Sequence, residues 1–203
     1  MISNKKLIKY AKCCVNLYGV VSLDEIIQIV NHYDNEIVPF DLYAEILDNF
    51  ITKRTIIQKE QGLYYKKTAI TKDIVVSFYD RVKTLPLYTF KRKIDFFYYE
   101  SATYSYGVYP SARNLHEFLS EIIPDTVEDA YLICEAIDEY IGLSLMASTS
   151  ITEVLKDCSE FWMSDYLVTK EHVDSFLQIL ADVNNHSRMY LLRGHTPLEF
   201  KEL

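Results

Sequence analysis

A chain of 203 residues that is 49% hydrophobic and 14% aromatic has enough apolar surface to fill a packed core, which excludes a disordered protein. Its 21 Lys and Arg against 29 Asp and Glu leave a net charge of −8, which opposes unspecific attraction to nucleic acid or anionic lipid. The charge is uneven: residues 1–70 hold 9 basic and 8 acidic side chains, +1, whereas 71–203 hold 12 and 21, −9.

Apolar residues at Leu7, Tyr10, Ala11, Cys14 and Leu17 predict a first helix, stopped by Gly19. Lysines precede this run as in a signal peptide, but Asn16 and Gly19 interrupt it and no small-residue cleavage site follows, so the protein is expected in the cytoplasm. Ser22 and Glu25 stand in capping-box spacing and open a second helix. Tyr43, Ile46, Leu47, Phe50 and Ile51 mark a third, ending near Lys53. Two short β-prone runs around Lys-Glu-Gln-Gly at 59–62 then predict a hairpin. Three helices and a hairpin in this order predict a winged-helix module over residues 1–70.

A winged helix invites a test as a DNA reader. Its third helix offers Asp41, Glu45 and Asp48, the wrong sign for phosphates, while Lys53, Arg54, Lys59, Lys66 and Lys67 form a basic edge at the helix end and on the wing. This edge is the candidate binding site for nucleic acid, and a protein contact is the favoured alternative.

Residues 71–203 read as an acidic α-helical, bundle-like domain. Ile74, Val75, Phe78 and Val82 share a face; a further helix spans the segment around Lys93, with Phe90, Ile94, Phe97 and Tyr98 as a core stripe; and "SARNLHEFLSEII" runs to Pro124. Aromatics from Tyr88 to Tyr109 flank Lys91-Arg92-Lys93, a mixture that can stack single-stranded bases, although core packing accounts for it more simply. Thr126 is placed to start the next helix and Gly142 to close it, and Ser150 with Glu153 forms a second capping box.

The last helix starts at Thr169, and its stripe of Val173, Phe176, Leu177 and Leu180 continues to Asn184 and Arg188. Polar groups facing a core need partners. In "GHTPLEF", Gly194 permits an unusual backbone angle, Thr196 is an N-cap, Pro197 suits the first helical position and Glu199 completes a capping box. Asn184, Arg188, Gly194, Thr196 and Glu199 are therefore expected to form a structural polar latch, with Asn184 and Arg188 on loop carbonyls.

Chemistry-bearing patterns are sparse. Cys13, Cys14, Cys134 and Cys158 make no Cys-x-x-Cys pair, the five histidines lack ligand spacing, and five glycines supply no phosphate-cradling loop. No catalytic residue, metal or cofactor is assigned, and the longest charge-free stretch, Tyr140 to Thr152, is too short for a membrane span.

The segment "NNHSRMYLLRGHTPLEF", residues 184–200, resembles the Asn-Asn-x-x-Arg-x-x-x-x-Arg-Gly-His-Thr-Pro-x-Glu segment of uncharacterised bacterial proteins that carry the SecA-type zinc tail, the SEC-C motif. "KRKIDFFYYESATYSYGVYPSARNLHEFL" is more loosely similar to their helical region, so the likeness covers most of residues 85–200. Their zinc tail is cysteine-rich, whereas no cysteine follows Cys158 here, so neither zinc nor a SecA/SecB-type partner carries over. The expected function is that of a non-enzymatic macromolecule-binding protein, an adaptor or inhibitor of the kind mobile elements encode, acting on a protein partner through its acidic helical domain. The alternative is a DNA- or RNA-binding regulator using the winged-helix edge.

Overall fold

The computed structural model describes residues 2–52, 55–101, 110–124, 126, 128, 130–167 and 169–203, with the side chains of 110, 161 and 162 outside that set. The chain is mainly helical, with one small antiparallel sheet, and divides into two compact units. The first is Met1–Ala102 with Tyr190–Gly194; the second is Thr103–Met189 with His195–Leu203.

The first unit begins with α1 (Asn4–Tyr18), capped by Ser3, then β1 (Val20–Ser22), α2 (Leu23–Asp34), α3 (Phe40–Phe50), β2 (Ile57–Glu60) and β3 (Leu63–Lys66). β3 is central: Val20, Val21 and Ser22 of β1 pair with Tyr65, Tyr64 and Leu63, and β2 pairs on the other side from Ile57↔Lys66 to Glu60↔Leu63. This order is a winged helix, with the β2–β3 hairpin as its wing. The core is drawn from Leu7, Tyr10, Ala11, Cys14 and Leu17 of α1, Ile26, Ile29 and Val30 of α2, and Tyr43 and Leu47 of α3, all at most 2% exposed. Ser22 ends β1 and caps α2 at once: the Glu25 N–H donates to its Oγ at 3.2 Å, and its own N–H donates to Glu25 Oε2 at 2.8 Å.

The unit continues through α4 (Val75–Val82) and α5 (Lys93–Phe97), which runs into a 3-10 turn over Tyr98–Ser101. The aromatic segment docks on α1: Asn16 Nδ2 donates to the Tyr99 carbonyl and Tyr18 Oη to the Tyr88 carbonyl, both at 2.7 Å. Its core stripe differs from the one the sequence suggests. Phe96 and Tyr99 are buried, whereas Ile94 and Tyr98 are 56% and 62% exposed. Arg92 is still extended, so Phe90 precedes the helix, and the 3-10 turn resets the period to three, carrying burial from Phe96 to Tyr99. Tyr104 and Tyr106 lie outside the described residues.

Asp34 ties these elements by its carboxylate. It receives Tyr10 Oη at 2.7 Å and pairs with Lys6 at 2.9 Å and Lys93 at 2.5 Å, while its side chain is only 9% exposed. Burial raises the Asp34 carboxyl, but the hydrogen bonds from Lys93, Lys6 and Tyr10 outweigh it and hold it at about 2. A carboxyl lowered on folding contributes stability above its unfolded pKa of about 4 and loses it as pH falls through about 2. Asp34→Asn is therefore expected to flatten the decline of stability across that interval, measurable as a shallower acid-denaturation curve than that of the parent; equal curves would count against the assignment.

The second unit holds α6 (Pro110–Ile122), α7 (Ala130–Met146), α8 (Ile151–Asp157), α9 (Lys170–His186) and α10 (Pro197–Phe200), with a π-helical turn over Cys158–Trp162. α6 packs on α7 and α9 around Leu119, Ile137, Ile141, Val154, Phe176 and Leu180, each 0% exposed, with Phe118 and Phe176 stacked at 5.7 Å. Ser150 and Glu153 cap α8 reciprocally, and Thr169 Oγ1 accepts the His172 N–H to open α9. Gly142 does not close its helix. It is buried inside α7, where the ladder runs on to Met146 because Ile141, Leu145 and Met146 continue the core face.

Candidate functional site

Among the described residues of the basic edge proposed for nucleic acid, Lys59, Lys66 and Lys67 differ in exposure and pairing. Lys59 Nζ lies 2.7 and 2.8 Å from the Asp48 carboxylate of α3 and 5.5 Å from the centroid of the Tyr64 ring; the hydrogen bond to Asp48 raises its pKa. Lys66, on the middle strand β3, is 5% exposed, and all four residues of that strand are covered. Lys67 is exposed beyond the strand end, with its N–H on the Ile56 carbonyl at 3.0 Å. Lys53 and Arg54 lie outside the described residues. Beside the wing, a hollow of about 420 Å³ is lined by Gln58, Tyr65, Lys67, Ile70, Thr71 and Lys72, and Lys72 pairs with Glu60 at 3.1 Å.

The helix that a DNA reader would insert into a groove has another character. α3 exposes Asp41, Glu45, Asp48 and Asn49, together with Leu42 at 45% and Phe40 at 50%. Between α1 and α3 runs an open groove of about 350 Å³ whose apolar walls are Ile8, Leu42, Ile46 and Phe50. Asn4, Glu45 and Asn49 complete its lining.

The polar cluster of residues 184–200 divides between the units. In the second, α9 ends at His186 and Ser187 is extended, so Arg188 leaves the helix stripe and meets a carboxylate: its Nη1 and Nη2 lie 2.8 and 3.1 Å from Glu199 Oε2 and Oε1. Burial raises the Glu199 carboxyl, but the hydrogen bonds from Arg188 and the Thr196 N–H win and lower it. Thr196 and Glu199 form the capping box of α10, and the Met189 N–H donates to the His195 carbonyl at 3.1 Å. Asn184 is half-buried, and its carbonyl accepts the Ser187 N–H.

In the first unit, Tyr190–Gly194 carries the residue that sequence reasoning missed. Among the described residues, Arg193 is the largest fully buried side chain, at 0% exposure. Its Nη1 donates to the Val20 carbonyl at 2.9 Å, its Nη2 pairs with Glu25 Oε1, and its guanidinium stands 5.7 Å from the centroid of the Tyr79 ring. Glu25 thus uses one oxygen to cap α2 and the other to hold Arg193. Arg193 and Gly194 both have positive φ, 53° and 81°, and the Gly194 backbone lies against Tyr18 and Leu17 with no room for a Cβ, which would fall 2.9 Å from Tyr18 Cε1. The only sequence signal was an Arg-Gly pair ahead of a capping box.

Chemistry is scarce in what is described. Cys13, Cys14, Cys134 and Cys158 are buried thiols; burial raises the pKa of Cys13 and Cys14 well up and pushes Cys158 to about 12, so Cys13, Cys14 and Cys158 stay protonated and poor as nucleophiles. Among the described residues, no three His, Cys, Asp or Glu side chains converge as a metal would require, and no helix is long and apolar enough to cross a membrane. No family model, curated protein or solved structure matches the chain.

Proposed function

We propose that this is a non-enzymatic protein-binding protein, an adaptor or inhibitor, whose acidic helical unit engages a basic surface of its partner. The supporting observation is how charge follows the fold. The second unit contains 5 basic and 17 acidic residues, −12, while the first contains 16 and 12, +4. Glu117 and Glu121 on α6, Glu139 on α7, and Glu171 and Asp174 on α9 are exposed. Such a surface accelerates encounter with a cationic partner and discriminates against anionic ones.

The rival reading, a DNA- or RNA-binding regulator, draws on Lys67 and the hollow beside the wing; against it stand the pairing of Lys59 with Asp48 and the burial of Lys66. Affinity capture from the native host and duplex-DNA anisotropy separate the two. The expected result is a basic protein that elutes with rising salt, and no duplex binding at physiological ionic strength. Duplex binding that is tight, salt-sensitive and lost on joint Lys59→Glu and Lys67→Glu substitution would overturn the proposal.

A further inference from the structure

We infer that the outward face of α7 is a docking strip for a lysine- or arginine-flanked amphipathic helix of the partner, an inference that rests on the protein-binding reading and specifies its place and chemistry. A helix that covers a core on one side normally turns polar residues outward. α6 and α9 do so, with Asn114, Glu117 and Glu121 on one and Glu171, Asp174 and Gln178 on the other exposed. α7 does not. Its inward side is Cys134, Ile137, Ile141 and Leu145, yet its outward side is Leu132, Ala136, Glu139 and Leu143, stepping by four, three and four residues along a straight line. Leu132 is 57% exposed, Leu143 36% and neighbouring Tyr131 63%. Only Glu135, Asp138 and Glu139 are charged in the 17 residues of this helix.

The strip is about 16 Å long, three turns of helix. Small Ala136 leaves a notch between the two leucines, into which a ridge of another helix fits. Its charge selects the occupant. Glu139 interrupts the strip, Glu135 stands beside it and accepts the Tyr131 hydroxyl at 2.6 Å, exposed Glu128 precedes the helix, and the unit carries −12 overall. A second copy would set like charges face to face, and phosphate-rich surfaces would be repelled. A cationic amphipathic helix meets both the leucines and the glutamates.

The full chain can be titrated into a dye-labelled helical peptide of about 18 residues bearing a leucine stripe flanked by lysine and arginine, and into a twin flanked by glutamate. The cationic peptide is expected to bind and its twin not to. Leu132→Asp, Leu143→Asp and Glu139→Lys are each expected to weaken binding about tenfold or more, with melting temperatures unmoved for Leu132→Asp and Glu139→Lys, whose side chains are the more exposed. Serine at either leucine position is expected to act in the same direction. Glu171→Lys on α9, the same change of charge elsewhere, is expected to have a much smaller effect. Undiminished binding by both leucine variants would remove the strip while leaving a basic partner for the acidic unit standing, and a host protein captured equally by parent and variants would say the same. Failure of the parent to bind the cationic peptide would overturn the inference, as would a dimer of the parent that Leu132→Asp abolishes.

Discussion

Arg193→Met is expected to destabilise the first unit by about 3–5 kcal/mol, the range for removing one partner of a buried ion pair. Methionine fills much of the volume of the arginine stem, so the loss comes from what remains behind. Glu25 keeps its hydrogen bond to the Ser22 N–H through Oε2, but Oε1 is left without its cation at a side chain only 16% exposed, and the Val20 carbonyl loses a donor. Some water can reach Glu25, which favours the lower end of the range. Urea unfolding of the parent, Arg193→Met, Glu25→Gln and the double variant measures it, and the cycle isolates the pair from the cap. A loss below about 1 kcal/mol for Arg193→Met would mean that the guanidinium is solvated rather than enclosed.

Gly19→Ala is expected to destabilise by about 2–4 kcal/mol, the sum of a left-handed residue forced on a Cβ and an overpacked contact. Gly19 ends α1 with φ 77°, its N–H on the Val15 carbonyl, and an added Cβ would lie 2.7 Å from Cγ of Tyr190 and 3.0 Å from Cδ1 of Ile70. Neither neighbour can yield easily, since both are core side chains. Gly62→Ala on the wing supplies the comparison: φ is 81° there, but nothing lies within 4 Å of the new atom. It is expected to cost only the backbone term, about 1 kcal/mol, so thermal melts of the two variants separate strain from collision. Equal losses would remove Tyr190 from the explanation.

Local signals carried most of the fold. The capping boxes at Ser22, Ser150 and Thr196 each lie within four residues, and each stands where its sequence puts it. The wing followed from two β-prone runs around a turn, and the helix stripes from period. What escaped was set by distant neighbours. Val20–Ser22 is too short to announce itself as a strand and forms one because Leu63–Tyr65 offers it an edge. Lys66, on the middle strand, is buried as well, which its charge in the sequence did not announce. Arg193 was unreadable for a related reason: its partner Glu25 is 168 residues away and already had a local task that explained it. A sequence displays charge but not pairing, and the partner of Lys59, Asp48, lies 11 residues before it.

Placing Tyr190–Gly194 in the core of the first unit also fixes when that unit can be finished. The bond from Arg193 to Val20 spans 173 residues, and the entropy of closing so long a loop grows only slowly with length, so the equilibrium penalty is modest. The penalty in time is larger, because contacts so distant form late. A ribosome that has made every helix of the winged-helix module still holds one whose Glu25 faces no cation and whose Gly19 faces no tyrosine until the segment Tyr190–Gly194 has been made. Chains that stop short of Tyr190 are therefore expected to carry an unfinished first unit, more open to proteases than the full chain, because its last core contacts are encoded beyond the helices of the second unit.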